Sequence, residues 1–456
     1  MAGLKQRIVD GLKIADLGDT FVRRFPPLYA AYRRELAEFD EAGLEERRSR
    51  QDAPIERMLR HATRLPAYEN LMGQPLSAFP VLSKLELKSR PQAYIAKSLL
   101  PVAKGETSGS SGVPLSVRRS FASVVFEQAA IDHVVALSGG NFAKDRVAVL
   151  RGERLKDPSD FTPPFWRMQS GGRVMNLSAA HLNLKTARTF HAALRDFAPP
   201  ILWAYPSALE LLIACLEAEG LKLSIPIVLT SSEVLTEGLR ERAEKAFGAV
   251  VADYYGQAER VSFAYALKAG EYRFLPAYGH VELEPLGEGR FGQIATNLRN
   301  SVQPLVRYET GDVIVADDVD DPRALEEIAL GIRSFARIEG RESDYLLAPD
   351  GSRLVGMNHV PRAIPGLMQM QLRQSAPDFV QVLAVAGDRA GDGMRSEIEA
   401  RLSSRLPDTM RVEVEFREAL ERTSRGKLPL VVREFERNAT ETGRNPADTP
   451  VIHHSG

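Results

Sequence analysis

The chain has 456 residues, 60 of them acidic and 59 basic, for a formal net charge of −1, with 44% hydrophobic and 26% charged residues. At roughly 150 residues per domain this makes two or three domains with full cores, and the even charge excludes capture of nucleic acid by a global positive field. A single cysteine, Cys215, excludes an internal disulfide framework and a thiolate zinc cage. With neither a signal-peptide core nor a transmembrane stretch, the expected location is the cytoplasm.

Residues 1–70 repeat apolar side chains at helical spacing, and the charges of Arg23, Arg24, Arg33, Arg34 and the run from Glu45 to Arg50 read as solvated faces. From Ser83 to Pro365 helical segments alternate with short apolar runs such as 147–150 and 227–230, the pattern of an α/β body with central sheets. Residues 201–216, with Glu210 in the middle, read as a buried helix rather than a membrane span. Gly287, Gly289 and Gly292 match the dinucleotide pattern G-x-G-x-x-G, but Gln293-Ile294-Ala295-Thr296-Asn297 follows as a strand, so 281–298 is expected to be a hairpin. Beyond residue 340 a Gly/Asp turn at 349–352, a strand at 379–386, a helix at 394–406 and a strand at 412–416 predict a small α+β domain. The tail, 438–456, has the composition of a disordered segment.

Four strings carry candidate chemistry. In Lys104-Gly105-Glu106-Thr107-Ser108-Gly109-Ser110-Ser111-Gly112-Val113-Pro114 the glycines let backbone N–H groups converge and the hydroxyls add donors, which suits a polyphosphate; by composition it is equally a Gly/Ser linker. It is not a P-loop, since no Gly-Lys-Ser/Thr closes it. Asp253-Tyr254-Tyr255-Gly256-Gln257-Ala258-Glu259 sets a ring that can stack on a base near a carboxylate that can hold Mg²⁺. Arg307-Tyr308-Glu309-Thr310-Gly311-Asp312 ends in an Asp able to accept both hydroxyls of a ribose, and Arg422-Thr423-Ser424-Arg425-Gly426-Lys427 puts a lysine past a glycine turn. Taken singly, these last three read as a strand end, a turn and a basic surface loop.

Together with Gly340-Arg341, and in this order, the strings resemble the adenylate-forming (AMP-binding) superfamily, most closely its phenylacetate-CoA ligase and CapK branch. Leu59-Arg60-His61, Leu65-Pro66-Ala67-Tyr68, Phe79-Pro80-Val81-Leu82-Ser83-Lys84 and Ser231-Ser232-Glu233-Val234-Leu235 point the same way, and the resemblance spans about residues 55–435. It implies an α/β fold: a large adenylation domain over 1–340 with central sheets and a helical segment at 1–70, then a small mobile α+β lid over 341–437. It also implies that Thr107, Ser108, Gly109, Ser110, Ser111 and Gly112 hold the β- and γ-phosphates of ATP, that Tyr255 and Gly256 lie against adenine, and that Glu233 sits near the adenine end. Glu259 would ligate Mg²⁺, Asp312 bind the ribose, Arg341 support ribose and phosphate, and Lys427 bridge carboxylate and α-phosphate. The implied reaction joins a small-molecule carboxylic acid to AMP and then passes the acyl group to a nucleophile, usually coenzyme A. An amide ligase, an adenylyltransferase with another acceptor, and a non-catalytic nucleotide-binding protein of a polysaccharide locus are the alternatives.

The chain departs from the family pattern at Ala258, where a threonine is usual, and at Ser343, with Asp344 following, where the hinge residue is usually Asp or Lys. Its 346–353 segment replaces a small-residue run that lines the pantetheine path in many relatives, and Pro349 and Asp350 there are expected to hinder transfer to coenzyme A. Trp203, Tyr205, Pro206 and Ser207 fall where relatives line the acyl site, although aromatics there also read as core. The eight histidines, among them His181 and His191, form no spaced ligand set.

Overall fold

The structure, a computed structural model, describes residues 19–98, 102–106, 115–151, 155–157, 160–183, 185–233, 235–317, 319, 321–339, 346–350, 353–354, 357, 360–361, 364, 367–386, 393–417, 420 and 430–434. The chain divides into two compact units, one formed by 1–105 and 117–340, the other by 106–116 and 341–456.

The first unit opens with helices α1 (Pro26–Glu41), α2 (Leu44–Ala62) and α3 (Lys84–Ser89) and the strand pair β1 (Ala103–Glu106) and β2 (Ser116–Arg119). Then come α4 (Phe121–Leu137), β3 (Val147–Leu150), β4 (Trp166–Gln169), β5 (Val174–Leu177), α5 (Ala187–Phe197), β6 (Ile201–Ala204), α6 (Pro206–Ala218), β7 (Ile227–Ser231), α7 (Glu237–Phe247), β8 (Val250–Gly256), β9 (Phe263–Ala266) and β10 (Arg273–Phe274). These strands form one sheet in the order β10-β9-β8-β7-β6-β3-β5-β4, parallel from β8 to β5 with antiparallel edges. Alternate residues of the parallel strands enter different cores. Ala148, Leu150, Leu202 and Val228 pack with Phe190, Leu212 and Phe247 on one face. Val147, Ile201, Ile227 and Leu229 pack with Leu36, Phe126 and Val134 on the other. Burial on both faces is why these strands are continuous apolar runs.

Strand order fixes where a ligand can enter. From β3 the chain runs to β5 on one side, whereas from β6 it runs to β7 on the other. The carboxyl ends of the neighbours β3 and β6 therefore diverge into a crevice, the topological switch point of an open α/β sheet.

A second sheet, β11 (Gly279–Gly287), β12 (Arg290–Asn297), β13 (Tyr308–Val315) and β14 (Arg337–Glu339), is antiparallel throughout, with α8 (Pro322–Ala329) between its last two strands. The glycine-rich segment is the expected hairpin, turning between β11 and β12. Where the two sheets meet, a β-carbon on Gly279 would lie 1.7 Å from the Val261 carbonyl oxygen.

Three expectations are corrected. Residues 201–216 are a strand followed by a helix, because Pro206 occupies the first helical turn and residues 201–204 pair with β3 and β7. Arg47 is buried and donates to the carbonyls of Asp40, Ala42 and Leu330, so this member of the charge run ties loop ends together. Arg24 holds the buried Asp132 carboxylate through Nε at 2.6 Å and Nη2 at 2.7 Å, with the Tyr29 hydroxyl and Gln128 Nε2 also donating to it.

The second unit carries β15 (Leu346–Leu347), β16 (Arg353–Leu354), β17 (Leu367–Ala376), β18 (Phe379–Ala386), α9 (Met394–Ser403), β19 (Arg411–Phe416) and β20 (Val431–Arg433). Its sheet runs β19-β18-β17-β20 and packs Met370, Leu372, Val380 and Val382 against Ile398 and Leu402 of α9. The helix stops at Ser403, short of the expected residue 406, and the strands at 379 and 411 match the sequence pattern within a residue. Among the described residues no helix is long and apolar enough to cross a membrane.

Gly279 has no room for a side chain against backbone. Replacement by alanine is expected to lower stability by about 3 kcal/mol, the upper end for overpacking, read as a lower urea midpoint; an unchanged midpoint would contradict the close approach.

Candidate functional site

The site is built on an irregularity of β13. Pairing of β12 with β13 breaks between Gly292 and Ile294, and opposite the break lie Thr310, Gly311 and Asp312. Gly311 adopts a φ of 75°, a left-handed conformation that costs other residues about 1–2 kcal/mol. The Thr310 hydroxyl donates to the Gln293 carbonyl at 3.0 Å and accepts from the Asp312 N–H at 3.1 Å, so backbone groups freed by the bulge are satisfied. The order Thr-Gly-Asp thus has a local cause: one residue bridges, one bends and the third is turned toward β8.

There Asp312 meets Tyr255, whose hydroxyl donates to Asp312 Oδ2 at 2.6 Å. Gln257 Nε2 donates to the same hydroxyl and, at 2.8 Å, to Ser262 Oγ, which also accepts from Gln293 Nε2. Four residues along, the Tyr308 hydroxyl donates to Glu259 Oε1 at 2.8 Å. Residues 255 and 259 therefore face 312 and 308, two cross-links at equal offsets that lay the segment after β8 antiparallel along β13. Glu259 and Asp312 are only 5% and 8% exposed, and Tyr308 is fully buried.

Two further strings are fastened here. The Leu82 N–H donates to the Arg307 carbonyl at 2.9 Å and the Glu309 N–H to the Leu82 carbonyl at 3.0 Å, extending the sheet by the 79–84 string. Arg307, itself at a φ of 48°, is held by Glu282 and the Phe79 carbonyl. Arg119, at the end of β2, donates to the Ala258 carbonyl from Nη2 at 2.8 Å and Nε at 3.2 Å. A β-carbon on Gly105 of β1 would collide with its guanidinium. Burial, and next the Arg260 charge, push the Arg119 pKa down from the usual guanidinium value.

Of the sequence-derived candidates, Tyr255, Glu259 and Asp312 are joined in this junction, and Gly256 closes β8 between them. Glu233 is exposed, two residues past the end of β7. Thr107, Ser108, Gly109, Ser110, Ser111, Gly112, Arg341 and Lys427 lie outside the described residues, as do Ser343 and Asp344. Pro349 and Asp350 are exposed. Sequence reasoning missed Arg119, Gln257, Ser262 and Gln293. Gln293, polar within an apolar strand run, was the one legible signal.

His181 is buried with Nδ1 2.7 Å from Ser178 Oγ, and His191 Nε2 lies 2.9 Å from the Lys222 carbonyl; both serve the fold. Among the described residues no three acidic, His or Cys side chains form a metal cluster. The lone carboxylate of Glu259 fits Mg²⁺ that arrives on phosphates and keeps waters, not a metal caged by protein alone.

The Tyr-Gly-x-x-Glu and Arg-Tyr-x-Thr-Gly-Asp strings, which resemble those of the adenylate-forming superfamily, are thus bonded together where β8 ends. The chain is similar to Protein CapK of Staphylococcus aureus, with 23% identity over 375 residues that cover 80% of this chain and 82% of CapK. No family model matches the chain. Solved structures similar to it include 2-hydroxyisobutyryl-CoA ligase in complex with 2-HIB-AMP and CoA, at 16% identity and a TM-score of 0.48, covering 86% of this chain and 92% of that one. Another is Mycobacterium smegmatis MbtA, at 12% identity and a TM-score of 0.36, covering 81% and 77%.

Beneath the junction, Asp253 is buried on β8 and accepts from the Thr230 hydroxyl at 2.6 Å and the Tyr272 hydroxyl at 2.5 Å. Desolvation raises its pKa above the usual carboxylate range, against these two bonds and the Arg240 charge. A carboxyl raised on folding adds stability that is complete below its unfolded value of about 4 and is lost as pH rises through the folded value. Asp253→Asn lacks that loss. The stability of this variant relative to the natural chain is therefore expected to rise as pH increases above about 4, measured by thermal melting; a flat or falling difference would contradict the shift.

Proposed function

We propose that the chain activates a small carboxylic acid with Mg·ATP, forming an acyl-adenylate and pyrophosphate, and then transfers the acyl group to a nucleophile, by resemblance the thiol of coenzyme A. The observation that carries the reading is the 2.6 Å bond between Tyr255 and Asp312, 57 residues apart in sequence, in one junction with Glu259 and Tyr308. The order of the strings supports it independently.

In this reading Asp312 accepts the ribose hydroxyls, with its free choice of geometry removed by Tyr255, while the Tyr255 ring lies against adenine and Glu233 stands near the adenine end. Glu259, oriented by Tyr308, would hold Mg²⁺, whose chemistry is to neutralise phosphate charge. The loop from Thr107 to Gly112 cradles the β- and γ-phosphates, and Arg341 supports the ribose. A carboxylate oxygen attacks the α-phosphorus, the bond to the bridging oxygen breaks and pyrophosphate leaves. Negative charge gathers where carboxylate and phosphate meet, and Lys427 supplies the cation there. The acceptor then attacks the acyl carbon and AMP departs. Such a reaction, with one buried free cysteine, suits the cytoplasm.

A panel of carboxylic acids is expected to contain at least one that drives exchange of labelled pyrophosphate into ATP. Lys427→Ala should slow that exchange by about a hundred- to a thousand-fold. Exchange with no acid overturns the reading, and full activity of the variant removes Lys427 from it. Product analysis with coenzyme A, an amine or no acceptor distinguishes the second half-reaction.

A further inference from the structure

The nucleophile of the proposed reaction is itself an anion, which has to be held against the negative phosphates it attacks, and that calls for a cation fixed beside its path. Arg151 immediately follows β3, and its guanidinium carbon lies 4.1 Å from the Trp203 ring centre and 4.7 Å from that of Tyr205, both contributed by the end of β6. The Trp203 ring is braced in turn by Phe142, edge to face at 5.4 Å. Arg151 Nη2 donates to Ser232 Oγ at 3.2 Å, just past the end of β7. Arg151 Nε and Trp203 Nε1 have no acceptor among the described residues, and among those residues no carboxylate forms an ion pair with Arg151.

The side chain leans back across β6 toward the nucleotide junction. Ser231, which precedes Ser232, is paired in register with Tyr254 of β8. The guanidinium therefore ends one strand spacing, about 4.8 Å, from the strand whose next residue, Tyr255, holds Asp312. Burial raises the Tyr254 pKa, and the Arg151 charge is the largest influence opposing that rise, which puts the cation within electrostatic reach of β8. A guanidinium stacked on two rings is fixed in plane, and its unspent N–H groups make a fork that matches a carboxylate. Arg151 is only half-buried, and it stands at the switch point, where open α/β sheets bind ligands.

We propose that Arg151, backed by Trp203 and Tyr205 and steadied by Ser232, binds the reacting carboxylate of the free acid and presents it to the nucleotide held at the end of β8. This rests on the adenylation reading and deepens it by naming the residue that selects a carboxylate. Arg151 takes no part in bond making: the carboxylate oxygen attacks the α-phosphorus and the negative charge leaves with pyrophosphate. The charge that Arg151 recognises is therefore a property of the free acid, absent from a neutral analogue of the same shape.

The test takes, from a panel of straight-chain and aryl monocarboxylic acids, the one that drives pyrophosphate exchange fastest, and uses its primary carboxamide as a competitive inhibitor. Arg151→Gln, checked for folding by circular dichroism, should raise KM for the acid at least about tenfold, the worth of one charge-assisted hydrogen bond, while KM for ATP and the inhibition constant of the carboxamide stay within about threefold. Arg151→Lys should lose less, as a point charge without the fork, and is judged by the same three constants if the glutamine variant does not fold. An unchanged KM for the acid overturns the inference. So does an equal rise for acid and carboxamide, which marks a damaged pocket, or a rise in KM for ATP instead, which assigns the cation to phosphate; all three leave adenylation intact. Exchange with no acid in the panel overturns adenylation, and this inference with it.

Discussion

The left-handed backbone at Gly311 is the constraint on which the rest of the site depends. A regular β13 would keep its ladder with β12 and point Asp312 according to the alternation of a pleated strand. The bulge instead uses Thr310 to close the broken ladder and lets Asp312 meet Tyr255. Once that contact is made, the equal spacing of 255 to 259 and 308 to 312 brings Glu259 under Tyr308 without further adjustment. Leu82 pairs alongside the same stretch, so three strings far apart in sequence are held by one irregular strand.

Parallel-sheet topology supplies the second constraint. Five parallel strands end at one edge of the sheet, and β8, β7, β6 and β3 place Tyr255, Ser231, Trp203 and Arg151 there in spatial order. The same edge carries both the junction with the antiparallel sheet and the crevice at the switch point. Arginines do much of the fastening: Arg47, Arg119, Arg240 and Arg299 each donate to main-chain carbonyls across elements. Each bond satisfies a carbonyl left over where strands or helices end, the places at which backbone pairing runs out.

Much of the architecture was legible because it rests on local chemistry. The apolar runs at 147–150 and 227–230, the hairpin around Gly287 and Gly289, and the strand at 379–386 announce themselves by composition and turn residues. Residues 201–216 misled because a fully buried parallel strand and a buried helix are both apolar, and only Pro206 marks the boundary. Arg24 and Arg47 misled because charge on a helix reads as solvent-facing, while their partners, Asp132 and the Leu330 carbonyl, are distant in sequence. At the site, Tyr255, Glu259 and Asp312 could be singled out by residue type and motif order. Arg119 and Ser262 could not, since each acts through a tertiary contact that no spacing encodes.

If one hydrogen bond makes Tyr255 and Asp312 a single nucleotide-holding unit, their contributions to binding are not independent. Calorimetric titration of Mg·ATP into the natural chain, Tyr255→Phe, Asp312→Asn and the double variant tests this directly. The account predicts that each single change weakens binding, Asp312→Asn by about tenfold or more, and that adding Tyr255→Phe to it costs almost nothing further. Unchanged affinity in both single variants, or losses that simply multiply in the double variant, would contradict it.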